Sequence, residues 1–525
     1  MKLNYKRTIL VGFAFFLICA FWQAYDNTIP LILTNKFGMS QTWSGVIMAL
    51  DNVLALFLLP LFGHISDKCT HPKGRRTPFI VVGTLIAAVA LIALSFVDNA
   101  QLKHLDKVSA IDDPAALAEI YQEQKDATLL TPGGESFILG QKITQEEFTA
   151  IRSQISTRSE SEGDKTVTNP DYTNYVVPAR QACAHAVTRT HPGTVVLFVV
   201  LLLIILVSMA TFRSPAVALM PDVTMKPLRS KANAVINLMG SAGGILVLAL
   251  GMAFATASVH NALMSYTAYF AVIAAIMLAA LVIFILTVRE VEWVQQMQRD
   301  SVEYGVEETA EDGASPQEER KLTRGEVKSL IFILLSIVLW FFGYNAVTSK
   351  YSVYASNILH KDYNLTLIIA QAAAIVAYLP VGVISSRVGR KRAIQAGVIL
   401  LTVAFGVAGF LHAESPTLLM NAMFALAGIA WATINVNSFP MVVELSSGGS
   451  VGKYTGFYYT ASMAAQVATP MLSGLLMDKW GMRVLFPYAT VFVALAFATM
   501  LMVHHGDSKP QMKLGLEALQ DSEMD

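Results

Sequence analysis

Apolar segments long enough to cross a bilayer recur about twelve times along this chain, and nothing else in it limits the fold as strongly. Inside hydrocarbon every backbone N–H and C=O must be paired internally, so only helices and closed barrels span it. Runs of roughly 20 mostly apolar residues are the helical solution. They fall at 8–34, 42–64, 78–97, 194–218, 232–257, 265–288, 326–348, 365–386, 393–411, 416–440, 454–476 and 483–504. Charged residues make up only 14% of the chain, against roughly 25% in a soluble domain. Lys+Arg and Asp+Glu both number 38, so no net charge draws the chain toward nucleic acid, and none is expected as a partner.

One unit appears in each half. GHISDKCTHPKGRRTPF (63–79) and the shorter GVISSRVGRKR (382–392) each end an apolar run at Gly, pass through a polar turn, and reopen behind Arg and Lys. The repetition predicts an all-α integral membrane fold of about twelve transmembrane helices in two pseudo-symmetric six-helix bundles. That is a transporter architecture. The basic loops also set the orientation. Lys68, Lys73, Arg75 and Arg76, then Lys226, Arg229 and Lys231, then Arg387, Arg390, Lys391 and Arg392 alternate with loops holding little more than Lys36 and Lys361. Both termini are therefore expected in the cytosol of a multi-pass plasma-membrane protein. Lys2, Lys6 and Arg7 before the apolar run 9–21 look like a signal peptide. No small-residue cleavage site follows, so an uncleaved first helix is expected.

The expected domains are a first bundle over 1–288, a cytoplasmic linker over 289–325, a second bundle over 326–505 and a tail over 506–525. The polar stretch 98–193 interrupts the first bundle between helices 3 and 4. Asp113-Pro114 and the capping box from Thr144 to Glu147 predict a small, partly helical extracellular cap, with a disordered loop as the alternative. Three cysteines, Cys19, Cys69 and Cys183, fall in different compartments and are expected as free thiols. The linker opens on an amphipathic stretch, REVEWVQQMQR, and turns acidic.

An ionisable group at the centre of a span costs about 2.5–3.5 kcal/mol on insertion scales, so it usually faces a cavity and has a use. Asp26 in helix 1, Asp51 in helix 2 and Arg213 in helix 4 are the proton-coupling candidates. The bland readings are a solvated outer end for Asp26, a helix-packing role for Asp51 and interfacial snorkelling for Arg213. Trp22, Gln23, Tyr25, Asn27, Tyr344, Asn345, Trp431, Asn435, Tyr458 and Gln466 supply aromatic faces and amides inside spans and are the substrate-binding candidates. Such residues also form interfacial belts and bind helices together. Lys350 is expected to snorkel at the outer end of helix 7. Asn364-Leu365-Thr366 reads as a glycosylation sequon or simply the start of helix 8. No Walker A loop, HExxH or GxSxG occurs, so neither ATP hydrolysis nor another enzyme activity is expected.

The residues also carry a family resemblance. The loop SDKCTHPKGRRTPF (66–79) resembles that between helices 2 and 3 of the plant sucrose/proton symporters and their animal relatives. These belong to the glycoside–pentoside–hexuronide:cation symporters of the major facilitator superfamily. RSPAVALMPDV (213–223), RSKANAVINLMGSAGG (229–244) and FFGYNAV (341–347) resemble helices 4, 5 and 7 of that group. The resemblance implies a sugar or glycoside substrate, most simply a disaccharide, carried inward with a proton; a monomer without a cofactor is expected. It also implies a cytoplasmic charge network of Asp67, Arg75, Arg76 and Asp222, with Arg387, Arg390 and Glu444 as counterparts in the second half. Two features depart from the pattern. The insertion 98–193 replaces a short loop, and helix 2 lacks the paired aspartates of sodium-coupled members, which makes Na⁺ the lesser alternative to H⁺. The competing functions are proton-antiport efflux of drugs or metabolites, and a non-transporting sensor that uses the cap.

Overall fold

The computed structural model describes residues 3–105, 110–159, 163–225, 228–304, 322–443, 445 and 451–506. Twelve long helices occupy the expected spans: α1 (Tyr5–Asn35), α2 (Gln41–Asp67), α3 (Thr77–His104), α4 (Pro192–Asp222), α5 (Arg229–Ala253), α6 (Thr267–Thr287), α7 (Arg324–Tyr354), α8 (Tyr363–Val388), α9 (Arg390–Ala408), α10 (Thr417–Val443), α11 (Val451–Trp480) and α12 (Leu485–Leu501). Among the described residues, ten are long and apolar enough to cross a membrane by length and composition, and α8 holds a shorter apolar stretch, Tyr363–Tyr378.

The helices form two bundles, α1–α6 and α7–α12, each with its own core. Leu17, Phe21, Ile32, Met209, Phe212 and Met277 are buried in the first. Ile333, Trp340, Tyr354, Leu401, Phe486 and Val493 are buried in the second. The chain belongs in the membrane on composition and fold alike. In the following, the face holding the insertion is the cap face, and the face at which α1 begins and α12 ends is the terminal face.

The insertion builds a small cap with a core of Leu117, Ile120, Leu139, Phe148, Tyr172 and Val176. Asp113 accepts a hydrogen bond from Ala115 N at the start of the helix Pro114–Gln124. Thr144 and Glu147 form the expected capping box. The cap is not only helical: β1 (Thr128–Leu130) pairs antiparallel with β2 (Ser136–Ile138), and β3 (Gln154–Ser159) with β4 (Gly163–Thr168). Cys19, Cys69 and Cys183 are free thiols.

Two lysines expected to face water are buried instead. Lys36, between α1 and α2, is fully buried; its Nζ lies 2.5 Å from Asp98 Oδ2 on α3 and donates to the Met264 carbonyl at 2.7 Å. Lys350 does not snorkel either. It is fully buried and donates to the Gln41 carbonyl at 2.7 Å, reaching from α7 to the start of α2. The amphipathic stretch becomes the helix Glu290–Glu303, packed against the first bundle. The acidic part of the linker and the tail lie outside the described residues.

Candidate substrate and proton site

Helices from both bundles meet around a cavity of about 190 Å³. α1 contributes Trp22 and Asp26, α2 contributes Asp51 and Asn52, and α4 contributes Arg213. From the second bundle come Asn345, Thr348 and Ser349 of α7 and Gln466 of α11. All three proton-coupling candidates are thus brought together with three of the substrate-binding candidates. A cavity of about 240 Å³ beside Asn4, Arg7 and Asp300 is larger, but the first bundle and its trailing helix alone line it.

The charges of the central cavity do not balance when all are ionised. Two carboxylates face one guanidinium, and one added proton makes the set neutral. Charge in such a place is costly unless paired and hydrogen-bonded. Arg213 lies over the Trp22 ring, 5.5 Å from its centroid, which favours the cation. Asp51 accepts from Asn52 Nδ2 at 2.7 Å. Trp22 Nε1 and Asn345 Nδ2 are buried donors with no hydrogen-bond partner. A buried donor left unpaired costs about 1–3 kcal/mol, so a ligand with hydroxyl acceptors would gain by meeting them. Arg213 is therefore neither at the helix end nor snorkelling.

The other candidates divide. Gln23 accepts a hydrogen bond from Gln371 Nε2 of α8, a residue that sequence reasoning missed and that bridges the two bundles. Tyr344 and Trp431 stack face to face, with centroids 3.5 Å apart and planes 2° from parallel, forming one aromatic slab in the second bundle. Asn435 is exposed and bonded to the Tyr378 hydroxyl. Three candidates do not line this cavity. Tyr25 is buried against Phe21 and Trp22, and its hydroxyl is a buried group with no hydrogen-bond partner. Asn27 donates to the Gln23 carbonyl of its own helix at 2.8 Å, the local back-bonding that short polar side chains favour. Tyr458 is buried with its hydroxyl 3.2 Å from Ser438 Oγ.

The cap-face side of the cavity is closed. Asp478, at the end of α11, accepts from Gln41 N and Thr42 N, both at 2.7 Å, and from Thr42 Oγ1 at 2.5 Å. A carboxylate here caps the first turn of α2 from the opposite bundle. The backbones of α2 and α11 touch just below. A Cβ on Gly45 would collide with the Pro470 carbonyl, and one on Gly474 with that of Gln41. Between α5 and α8, Thr256 Oγ1 lies 2.7 Å from the Tyr363 hydroxyl and accepts from Asn364 Nδ2 at 3.3 Å. Asn364 is buried in this seam, so the sequon is shut off from glycosylation in this conformation. Among the described residues, these contacts join the two bundles on the cap face.

The charge network expected at the α2–α3 turn is present and lies within the first bundle. Arg75 holds Asp222 with Nε at 3.2 Å and Nη2 at 2.7 Å. Arg76 Nε reaches the same carboxylate at 2.8 Å, and its Nη2 lies 2.5 Å from Asp67. Burial works against the charge on Arg76, but the hydrogen bonds and charge of Asp222, then those of Asp67, outweigh it and raise its pKa. Sequence reasoning missed the fifth member, Glu290. This buried carboxylate accepts from Arg76 N at 2.9 Å, Thr77 N at 2.8 Å and Thr77 Oγ1 at 2.7 Å, capping α3. Glu290→Ala would leave those donors unpaired, and the melting temperature is expected to fall by the equivalent of about 1–3 kcal/mol. Thermal unfolding of the purified protein checks this. Of the proposed counterparts, Arg390 opens α9; the Arg387 side chain and Glu444 lie outside the described residues.

The family profile described as Major Facilitator Superfamily matches residues 182–376 and 361–518, and that described as MFS/sugar transport protein matches 10–104. The sucrose transport protein SUC4 of Arabidopsis thaliana is 37% identical over 59 residues, 11% of this chain and 12% of that protein. SUC3 of the same plant is 39% identical over 67 residues, 13% of this chain and 11% of that one. Among solved structures, the inward-open xylose transporter XylE from E. coli is 14% identical with a TM-score of 0.57, covering 98% of this chain and 100% of that one. A D-xylose-proton symporter is also 14% identical, with a TM-score of 0.56, covering 96% of this chain and 99% of that one. At such identities the structural likeness speaks to the fold alone.

Proposed function

We propose that this chain, which belongs to the Major Facilitator Superfamily, is a secondary active transporter that takes up a sugar or glycoside together with a proton. A disaccharide is the first substrate class to test. The observation that carries the reading is a cavity between the bundles in which Asp26, Asp51 and Arg213 stand beside the unpaired donors of Trp22 and Asn345. The local similarity to sucrose transport proteins supports the choice of substrate.

The mechanism follows from charge and closure. A proton on Asp26 or Asp51 neutralises the cavity, which lowers the cost of occluding it between two closed faces. Sugar hydroxyls pair with Asn345, Gln466 and Trp22, and the rocking bundles expose the site to each face in turn. In this reading the cap face is extracellular, the terminal face is cytosolic in a plasma membrane, and the structure stands in its inward-facing state. Asp478 and the α2–α11 seam then form the outer gate. The network of Asp67, Arg75, Arg76, Asp222 and Glu290 stiffens the inner edge of the first bundle.

Charge movement in proteoliposomes tests this with mono-, di- and oligosaccharides, with and without sodium. A sodium-independent inward positive current with one sugar class is expected. Folded protein that gives neither current nor tracer uptake with any sugar would sink the reading and bring efflux or sensing forward.

A further inference from the structure

The cap is part of the first bundle by connectivity, since it leaves α3 and returns as α4. Its base rests there too: Gln181 Nε2 donates to Asn35 Oδ1 at 3.2 Å, and Thr188 Oγ1 to the Phe37 carbonyl at 3.0 Å. One projection crosses to the other bundle. The turn between β1 and β2, Thr131 to Gly134, lies on the turn between α11 and α12, where Met482 N donates to the Pro132 carbonyl at 2.8 Å. Two glycines make the backbones interlock. Gly134 has φ +94° and Gly481 φ +84°, a region L side chains rarely adopt. A Cβ on Gly134 would stand 2.5 Å from the Trp480 carbonyl oxygen, and one on Gly481 would collide with Gly134 N. A second touch, Thr173 Oγ1 to His360 Nε2 at 3.0 Å, steadies the same side.

The turn also sits just outside the gate. A cavity of about 140 Å³ separates it from the α2–α11 seam, with Gln41 and Asp478 on one wall and Thr131, Pro132 and Met482 on another. Moving α11 away from α2 therefore moves the α11–α12 turn away from the cap. We infer that residues 131–134 form a strap, carried by the first bundle and fastened to the second, which must unfasten before the cap face can open. The inference rests on the alternating-access reading above and assigns the insertion a part in transport: it holds the outer mouth shut and slows the return of the empty carrier.

The test uses the full chain with its three cysteines replaced and Ser349→Cys as a reporter in the central cavity. The rate at which a membrane-impermeant maleimide labels residue 349 from the cap side is read by mass spectrometry, without sugar. Gly134→Val and Gly481→Val are expected to raise that rate severalfold. Gly133→Val should leave it unchanged, because a Cβ there meets only Thr131 Oγ1, at 3.6 Å. A Pro132→Cys, Met482→Cys pair oxidised to a disulfide should suppress labelling, and a reductant should restore it. Unchanged labelling in both folded glycine variants would overturn the strap. So would a cross-linked protein that labels as fast as the reduced one, and this arm decides if the valine variants fail to fold. Labelling that behaves as expected, beside an unsubstituted chain that moves no sugar, would leave the strap standing and overturn the substrate reading instead.

Discussion

Asparagine in place of Asp26 or Asp51 is expected to abolish concentrative sugar uptake while leaving a folded protein that still exchanges sugar across the membrane. The substitution is nearly isosteric and keeps hydrogen-bonding capacity, so what it removes is the exchangeable proton. One coupled proton is worth about 1.4 kcal/mol per unit of pH gradient, or about tenfold accumulation. A variant that has lost the coupling proton should therefore only equilibrate its substrate, whatever the gradient. Uptake driven by an imposed pH gradient, set beside counterflow exchange at equal pH, separates the two. If both single variants and the double variant accumulate sugar normally, the carboxylates of this cavity do not carry the proton.

The largest effect on stability is expected from Lys36→Met, at about 3–5 kcal/mol, the usual result of removing one partner of a buried ion pair. Asp98 would be left without its cation in a site that is fully buried on both sides. The ammonium also lies 4.6 Å from the Tyr266 ring centroid and ties the Met264 carbonyl, so three parts of the first bundle loosen together. Replacing both partners, as Lys36→Met with Asp98→Leu, should recover most of the loss, since a buried pair is often no better than well-packed apolar groups. Melting temperatures of the single and double variants in one detergent decide it. A double variant no more stable than Lys36→Met would show that the ammonium's other contacts matter more than the pair.

How much of this could be read from the residues depends on how far each signal reaches. Twelve spans were legible because backbone pairing in hydrocarbon dictates them locally. The charges of the cavity were legible for a related reason: so few ionisable groups lie inside spans that Asp26, Asp51 and Arg213 stood out, although only the fold shows that they share one space. Amides and aromatics were less legible, because one position on a helix does not reveal which side faces a cavity. Asn27 turns back on its own helix, while Gln371, which crosses to Gln23, gave no sign in the sequence. Lys36 looked like a loop cation and Lys350 like a snorkelling one because their partners come from other helices. The first hairpin of the cap did leave a local signal, Thr128-Leu129-Leu130 and Ser136-Phe137-Ile138 on either side of Pro132-Gly133-Gly134, a turn signal between short strand-forming runs.

Glu290 bears on where this chain can be cut. Its carboxylate reaches back 214 residues to the amide of Arg76, so the last turn of the first bundle is clasped to one of its earliest loops. The segment that joins the halves mechanically therefore does not start where the membrane helix stops, at Thr287, but after the helix Glu290–Glu303. Producing the halves as two separate polypeptides would call for a break beyond residue 304. A break at 288 would strand the clasp on the wrong fragment.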